Sequence, residues 1–254
     1  MRSRNPVRER LRAGRPTVGC FMALGSPNAA ELLAQVGFDW LVIETEHSGL
    51  DVAQVEHMLM AMSGSETVPL VRVPALDSVF IQRALDLGAM GIVVPLVRTA
   101  DDARAAVRAT RFPPEGTRSF GPIRAARYSL DYGAYLATAN ENTLVALIVE
   151  TREAVENIAE IAAVPGVDVL FFGLFDLCLS LGLDPLRLPL PEIDEIVERV
   201  LEIGRAANVA VGMSARTADE LVGHRSRGFT FLGFSTDYFL LLDGARGALE
   251  AFRR

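Results

Sequence analysis

The strongest constraint on the fold is a regular alternation of short apolar runs with longer stretches of helical periodicity. The runs are rich in β-branched residues and are apolar at consecutive positions, not only at every second one. Such runs are typical of strands buried on both faces of a parallel sheet. We predict eight strands, at 17–24, 40–43, 69–73, 91–94, 144–149, 167–172, 209–212 and 229–234.

Helices are predicted in the intervals between these strands. Their ranges are 28–36, 52–62, 79–87, 101–110, 153–162, 192–207 and 218–225. Asp51, Asp77 and Thr151 precede three of them, and side chains of this kind accept hydrogen bonds from the first turn of a helix. Gly37 and Gly88 follow two of them, where glycine commonly ends a helix.

Eight such units without an obvious linker predict one domain, 1–254, folded as a (β/α)₈ barrel. About 250 residues is the typical length of that fold. A doubly wound open sheet is the alternative fold. No G-x-G-x-x-G follows the first strand, which disfavours the dinucleotide-binding form of that sheet.

The composition indicates a cytoplasmic protein without nucleic-acid or membrane partners. The net charge is −7 and the mean hydropathy is +0.26. An acidic chain is poorly suited to nucleic acid or to an anionic membrane. No apolar stretch approaches the ~20 residues of a membrane span, and the start of the chain has no apolar leader. Cys20 and Cys178 have neither zinc-like spacing nor the pattern of a disulfide framework.

The chain contains no lysine, since all 25 residues counted as Lys or Arg are arginine. A lysine Schiff base, to substrate or to pyridoxal phosphate, is therefore impossible. The P-loop lysine is excluded for the same reason. If the protein performs carbanion chemistry, something else must stabilise the negative charge, and a metal ion is the obvious candidate.

Charged side chains follow several of the apolar strands. Active sites of (β/α)₈ barrels lie at the carboxyl ends of the strands, so these residues are candidates for function. They are Glu44, Glu46 and His47 after the second strand, Arg72 in the third, Asp86 before the fourth, Glu150 after the fifth and Asp176 after the sixth.

Glu150 and Asp176 are the predicted metal ligands. Neighbouring strand ends lie ~5 Å apart, so the two carboxylates can converge on one ion. Two carboxylates completed by water and a chelating substrate are a usual way of holding Mg²⁺ or Mn²⁺. For either residue alone, a helix N-cap or a salt bridge is the competing interpretation.

His47 and Arg72 are the predicted catalytic side chains. His47 follows an apolar strand beside two acids, where a partner can tune its pKa for proton transfer. Arg72 lies inside an apolar strand, where a charge is costly unless it is paired. A salt bridge to a strand-end acid and a contact with a substrate oxygen are its two possible roles.

Segment 111–142 interrupts the alternation and is too long for an ordinary connection. We expect it at the catalytic end of the barrel, either as a functional loop or as an oligomer contact. Its prolines and glycines are Pro113, Pro114, Gly116, Gly121, Pro122 and Gly133.

Several motifs, in order along nearly the whole chain, resemble those of the HpcH/HpaI aldolases, the class II pyruvate aldolases. The first are Asp39-Trp-Leu-Val-Ile-Glu-Thr-Glu-His47, Val71-Arg-Val-Pro74, Leu85-Asp86-Leu-Gly88 and Val93-Val-Pro95. The next are Arg108-Ala-Thr-Arg-Phe-Pro-Pro-Glu-Gly-Thr-Arg118, Glu150-Thr-Arg-Glu-Ala154, Pro165-Gly-Val-Asp168, Asp176-Leu177 and Ser180-Leu-Gly182.

The resemblance implies a barrel of the phosphoenolpyruvate/pyruvate superfamily type, with its last helix swapped between subunits of a homohexamer. It implies Mg²⁺, Mn²⁺ or Co²⁺ held by Glu150 and Asp176. Pyruvate would chelate that ion, with Arg72 at its keto oxygen. His47, supported by Asp86, would assist proton transfer.

The resemblance also implies where the substrate carboxylate binds and what the reaction is. Backbone amides at Gly173, Leu174 and Phe175 would bind the carboxylate at a helix start. Glu44 and Glu46 could reach the ion through water. The implied activity is cleavage or formation of a 4-hydroxy-2-oxo acid from pyruvate and an aldehyde.

The chain departs from the family pattern at several positions near this site. The family usually has Asp where Glu44 stands and Gln where Ile148 stands. It usually reads Gly-Pro-x-Asp-Leu-Ser where this chain has Gly173-Leu-Phe-Asp-Leu-Cys178. Ile148, Leu174 and Phe175 motivate one alternative, a degenerate paralogue that binds without catalysis. A second alternative, a related decarboxylase or acyl-thioester lyase, would use similar metal–enolate chemistry.

Overall fold

The computed structural model describes residues 4–254, which form a closed barrel of eight parallel strands. Every neighbouring pair is parallel, and β8 closes onto β1. Closure excludes the open doubly wound sheet and confirms the predicted barrel. The strands are β1 (Thr17–Met22), β2 (Trp40–Glu44), β3 (Val68–Arg72), β4 (Gly91–Val94), β5 (Leu144–Val149), β6 (Val169–Phe172), β7 (Ala210–Ala215) and β8 (Phe231–Thr236).

The helices surround this barrel, and all seven predicted helical stretches are helical. The stretch predicted as one helix at 153–162 is divided at Asn157. The helices are α1 (Pro6–Arg12), α2 (Pro27–Val36), α3 (Val52–Ala61), α4 (Ser78–Asp86), α5 (Ala100–Thr110), α6 (Tyr132–Asn142), α7 (Arg152–Glu156), α8 (Ile158–Ala162), α9 (Leu174–Leu181), α10 (Pro191–Ala207), α11 (Ala218–Arg227) and α12 (Asp237–Arg253).

The predicted caps are where the sequence placed them. The side chains of Asp51, Asp77 and Thr151 each accept a hydrogen bond from a backbone amide of the helix that follows. Gly37 ends α2 in the left-handed conformation, with φ +101°. The local signals that begin and end these helices therefore agree with the tertiary fold.

Apolar side chains fill the barrel interior up to the layer directly below the charged residues at its carboxyl-terminal end. Trp40 stacks on Phe231 with ring centroids 4.0 Å apart. Alternate strand residues share a face, so the next inward positions on β2 and β3, and just beyond β5, are Glu44, Arg72 and Glu150. The inward-facing apolar cluster includes Phe21, Val42, Leu70, Val93, Ile148 and Phe171.

Segment 111–142 lies at the amino-terminal end of the barrel, so its expected position at the catalytic end is wrong. Arg124 contacts the carbonyl of Leu87, and Ala125 donates to the carbonyl of Asp86 at 3.0 Å. The reason is connectivity, because α5 runs back along the barrel before this segment leads into β5. Helix α6 forms the last third of the segment, and several exposed apolar side chains lie in the part before it: Phe120, Ile123, Tyr128 and Leu130.

The last helix, α12, leaves the barrel with little of its surface covered. Of its seventeen residues, all of which the structure describes, Asp237 alone is buried. Leu241 is 68 % exposed and Phe252 is 87 % exposed. Within residues 4–254, no helix is both long enough and apolar enough to cross a membrane.

Candidate active site

Arg72 is the centre of a charged cluster at the carboxyl-terminal end of the barrel. Glu44 and Arg72 are paired in register at the ends of β2 and β3. Nη1 of Arg72 donates to Oε2 of Glu44 at 3.2 Å, and Nη2 forms an ion pair with Glu46. Nη2 also lies 3.8 Å from Oε2 of Glu150. The guanidinium therefore joins three carboxylates, so the salt bridge with strand-end acids, one of the two roles considered for Arg72, is present.

The loop after β2 folds around the carboxylate of Glu44. Oε1 of Glu44 accepts hydrogen bonds from the amides of Glu46 and His47, at 2.7 and 3.1 Å. The hydroxyl of Thr45 donates to the carbonyl of Arg72 at 2.5 Å. This network places His47 at the rim, where its side chain is 61 % exposed and its Nε2 is 3.6 Å from Oε2 of Glu46. The imidazole of His47 is therefore accessible from solvent at this end of the barrel.

Glu150 is buried just beyond the end of β5, with 2 % of its surface exposed. Its Oε1 accepts a hydrogen bond from the amide of Leu96 at 2.6 Å. Its Oε2 faces Gly173, and a Cβ added to that glycine would lie 2.8 Å from this oxygen. The absence of a side chain at Gly173 therefore makes room for the carboxylate.

Asp176 lies in the first turn of α9, directly after β6, and is exposed. Burial is the main cause of a raised pKa at Glu150, and the charge of Asp176 raises that pKa further. The amide of Leu96 and the charges of Arg72 and His47 act in the opposite direction. The pKa of Glu150 is therefore sensitive to the charge of Asp176, and the assignment of the two residues as ligands of one ion stays a prediction.

Negative charge exceeds positive charge in this cluster. The guanidinium of Arg72 pairs with the carboxylates of Glu44, Glu46 and Glu150, and the charge of Asp176 acts on Glu150. Burial also raises the pKa of Glu46, and the carboxylates of Glu150 and Glu44 add to that effect, while Arg72 and His47 oppose it. An environment that raises carboxylate pKa values disfavours the charged form, and a bound cation would relieve the cost.

No three His, Cys, Asp or Glu side chains within residues 4–254 are arranged to hold a metal ion by themselves. The chain instead offers two candidate ligands, Glu150 and Asp176. That number leaves coordination positions for water and for a chelating substrate, as Mg²⁺ sites commonly do.

Asp86 is not brought to the cluster within this chain. It is the last residue of α4, at the amino-terminal end of the barrel. Nη2 of Arg118 donates to its Oδ1 at 2.6 Å and to the hydroxyl of Tyr135 at 3.0 Å. His47 lies at the opposite end of the barrel, so the two residues do not form an intrachain pair.

Leu174 and Phe175 form the first turn of α9, with Gly173 as the preceding residue. Amides in a first helical turn have no partner within the helix and can bind an anion. The ring of Phe175 is 58 % exposed, so this residue is not part of the packed interior. The predicted carboxylate-binding segment is therefore adjacent to both candidate ligands.

Sequence reasoning missed Leu96 as a contributor to this site. Its amide holds Glu150, and its φ is +55°, which is uncommon for a leucine. Pro95 at the end of β4 marks a break in the strand but does not predict a left-handed residue after it. A backbone donor of this kind leaves no signal in residue type.

A closed (β/α)₈ barrel that gathers acids, an arginine and a histidine at the carboxyl ends of its strands has the architecture of a barrel enzyme. The chain belongs to the HpcH/HpaI aldolase/citrate lyase family, which it matches over residues 17–243. The predicted family is thereby confirmed.

Two curated relatives illustrate the family's activities. The 4-hydroxy-2-oxovalerate aldolase of Rhodococcus jostii is 38 % identical over 238 residues, which cover 93 % of this chain and 92 % of the relative. The 4-hydroxy-2-oxo-heptane-1,7-dioate aldolase of Salmonella dublin is 37 % identical over 255 residues, covering 98 % and 95 %. These relatives are aldolases, which are lyases, so the expected class of enzyme is confirmed.

A solved structure shows the same architecture. The HpcH/HpaI aldolase/citrate lyase family protein from Burkholderia cenocepacia superposes with a TM-score of 0.93 at 39 % identity. The alignment covers 98 % of this chain and all of that one. The similarity therefore extends over the barrel and its surrounding helices together.

Proposed function

We propose that this protein is a divalent-metal-dependent aldolase that interconverts a 4-hydroxy-2-oxo acid with pyruvate and an aldehyde. The observation that carries the proposal is the buried carboxylate of Glu150 beside Asp176, in a cluster with surplus negative charge. Because the chain has no lysine, the charge of an enolate cannot be stabilised through an imine. A cation held by the two carboxylates meets that requirement.

The residues present fit Mg²⁺, Mn²⁺ or Co²⁺. Divalent-metal dependence is general among HpcH/HpaI aldolases and their citrate lyase relatives. Glu150 and Asp176 would hold the ion, and Glu44 and Glu46 would reach it through water. Oxygen ligands suit several of these ions, so the ligand set does not select one. An ion held by these residues would supply positive charge that stabilises an enolate.

The other side chains bind and orient the substrate. Arg72 donates to the keto oxygen, where its fixed guanidinium stabilises negative charge as it develops. The amides of Leu174 and Phe175, next to Gly173, bind the carboxylate of the 2-oxo acid. His47 moves the proton at the aldehyde oxygen from its exposed position at the rim. The apolar layer that includes Ile148 lies beneath the reacting atoms and excludes water from below.

Any support of His47 by Asp86 would have to come from a second subunit, because the two residues lie at opposite ends of one barrel. We propose a homohexamer in which α12 is swapped between subunits. Leu241 and Phe252 on α12 are exposed apolar side chains that such an assembly would bury. The exposed apolar part of segment 111–142 favours the oligomer contact over the functional loop.

Sedimentation velocity of the full chain at several concentrations tests the assembly. We expect a hexamer for the unmodified protein and smaller species for Leu241→Asp and Phe252→Asp. Leu186→Asp is the control, because Leu186 is 83 % exposed and lies outside both surfaces. A monomer at all concentrations contradicts the assembly.

Pyruvate release from a panel of 4-hydroxy-2-oxo acids, with and without Mn²⁺, tests the activity. We expect turnover that requires the metal and is lost in Glu150→Ala and Asp176→Ala. Glu153→Ala, an exposed acid on α7, is the control. Full activity in the presence of chelator contradicts the metal role. Tight Mn²⁺ binding without turnover of any substrate favours the non-catalytic alternative, and turnover of an oxaloacetate or thioester substrate alone favours the decarboxylase or lyase.

A further inference from the structure

A cavity of about 1050 Å³ opens at the end of the barrel opposite the active site. Its walls come from α1, from the chain after α5, from the end of α6 and from the turn before β6. The amino ends of β5 and β6 therefore face it, whereas Glu150 and Asp176 follow the carboxyl ends of the same strands. With ~3.3 Å per strand residue, the six residues of β5 separate the two regions by roughly 20 Å.

Four arginines are among the residues that line this cavity: Arg4, Arg8, Arg12 and Arg111. Arg8 and Arg111 are 5 % and 4 % exposed, and the more exposed Arg12 lies beside them. Asp168 is the buried counter-ion: Nε of Arg8 donates to both its oxygens, at 2.8 and 2.9 Å, and Nε of Arg12 is 3.7 Å away. One buried carboxylate is thus shared by two guanidinium groups.

Asp168 pairs with Arg8 and Arg12, and within residues 4–254 Arg111 forms no ion pair with a carboxylate. Its Nη1 donates to the hydroxyl of Thr110 at 2.9 Å, while Nη2 is buried without a hydrogen-bond partner among residues 4–254. Burial, followed by the charge of Arg8, lowers the pKa of Arg111 to about 10. A buried cation with an unused donor is costly unless a ligand completes it.

We propose that this cavity binds a small oxyanion, a phosphate group either free or carried by a small metabolite. Phosphate accepts several hydrogen bonds at once and matches the planar donor fork of arginine. The exposed acids Glu9, Glu115 and Glu141 lie on the same cavity and repel an extended polyanion. A compact anion can still reach the buried arginines between these acids. The same acids exclude nucleic acid as the ligand.

Arg111, which the motif Arg108–Arg118 supplies, has no role in the proposed catalytic site. The oxyanion site gives its buried arginine a function that is separate from the aldolase chemistry.

Isothermal titration calorimetry at constant ionic strength tests the proposal. It measures the binding of inorganic phosphate and of glycerol 3-phosphate to the full chain. We expect saturable binding of at least one of them and no equivalent effect of chloride.

Two variants and one control make the test specific. Arg111→Met is expected to weaken phosphate binding by roughly tenfold or more. It should also raise Tm by a few degrees, ~2–4 °C, in phosphate-free buffer, because it removes an unpaired buried charge. Arg12→Gln, at a partly exposed position that tolerates substitution, should weaken binding without that gain. Arg104→Gln, on the exposed face of α5, loses the same charge outside the cavity and should leave binding unchanged.

The outcomes separate clearly. Stronger binding of glycerol 3-phosphate than of phosphate assigns the site to a phosphorylated metabolite, and equal binding assigns it to the phosphate group itself. Absence of saturable binding of both ligands overturns the proposal. Equal losses in Arg12→Gln, Arg111→Met and Arg104→Gln also overturn it, because they would reflect net charge alone.

Discussion

The amide of Leu96 donates a 2.6 Å hydrogen bond to Oε1 of Glu150 from a backbone with φ +55°. This conformation costs a non-glycine residue ~1 kcal/mol or more. Leu96 is 49 % exposed, so packing of its side chain offsets little of this conformational cost. The strain is maintained because it directs a backbone donor at a buried carboxylate.

The stability of variants at position 96 should depend on how readily the new residue adopts positive φ and not on its hydrophobicity. We expect the free energy of unfolding of Leu96→Gly to lie within ~1 kcal/mol of that of the unmodified protein, because glycine adopts positive φ freely. Leu96→Val should cost more than ~1 kcal/mol, since a β-branched side chain resists this conformation. Urea denaturation measures both. Leu136→Val is the control at the same exposed fraction, on helix α6. Equal costs for the two valine variants would show that Leu96 is not strained.

Gly173→Ala should damage the site without unfolding the barrel. The added Cβ would lie 2.8 Å from Oε2 of Glu150 and 3.0 Å from Cγ2 of Ile148. The carboxylate must therefore shift from its hydrogen bond with Leu96. Displacement of a ligand's support typically weakens metal affinity by roughly 10- to 100-fold.

The Mn²⁺ dissociation constant, measured by electron paramagnetic resonance, tests Gly173→Ala, and circular dichroism verifies the fold. Gly133→Ala is the matched control, because its Cβ meets open space on α6. Unchanged Mn²⁺ affinity in Gly173→Ala would mean that Glu150 is not a ligand or that the loop adjusts without cost.

The barrel was predictable because its determinants are local and repeated. Runs such as 144–149 are apolar at every position, which few structures other than a doubly covered parallel strand require. The helix caps depend on single side chains, and Asp51 and Thr151 are therefore readable from sequence. The charged residues at strand ends were also predictable, since Glu44, Arg72 and Glu150 interrupt otherwise apolar runs.

The unpredicted features depend on the direction of the chain and on backbone conformation. Asp86 is the last residue of α4 and segment 111–142 follows α5, and both helices return to the amino-terminal end of the barrel. The helical connection after each strand returns the chain from the carboxyl-terminal end of the barrel to its amino-terminal end. Applied to α5, this rule gives the observed position of that segment. The left-handed φ of Leu96 is different, because no residue type at that position announces it.

Glu150→Gln should stabilise the metal-free protein while abolishing metal-dependent turnover. The pKa of Glu150 is raised, mainly by burial and then by Asp176. A raised carboxylate pKa means that stability is present at low pH and is lost as pH rises through the folded-state pKa. The neutral glutamine avoids that loss. We expect a gain of ~0.5–2 kcal/mol at neutral pH, the range common for single stabilising substitutions.

The pH dependence of that gain is the sharper measurement. Urea denaturation of both metal-free proteins should show the largest difference at neutral and alkaline pH. The difference should shrink as pH falls through the pKa of Glu150, where the unmodified side chain becomes neutral. Glu153→Gln, exposed on α7, should show no such trend. A difference that grows toward acid pH contradicts the raised pKa.

Arg72→Met should separate catalysis from metal binding. The guanidinium contacts Glu44, Glu46 and Glu150, so its charge competes with a cation for the same carboxylates. Its removal should leave Mn²⁺ affinity unchanged or tighter. Turnover should nevertheless fall by roughly 10²–10³-fold in kcat, the usual cost of losing one donor to a developing oxyanion.

Steady-state kinetics of pyruvate release and Mn²⁺ titration by electron paramagnetic resonance measure the two effects on the same sample. Arg72→Lys keeps the charge without the paired donors and should recover part of the turnover. If Arg72→Met instead lost Mn²⁺ and turnover together, Arg72 would act by holding the ligands in place and not on the substrate.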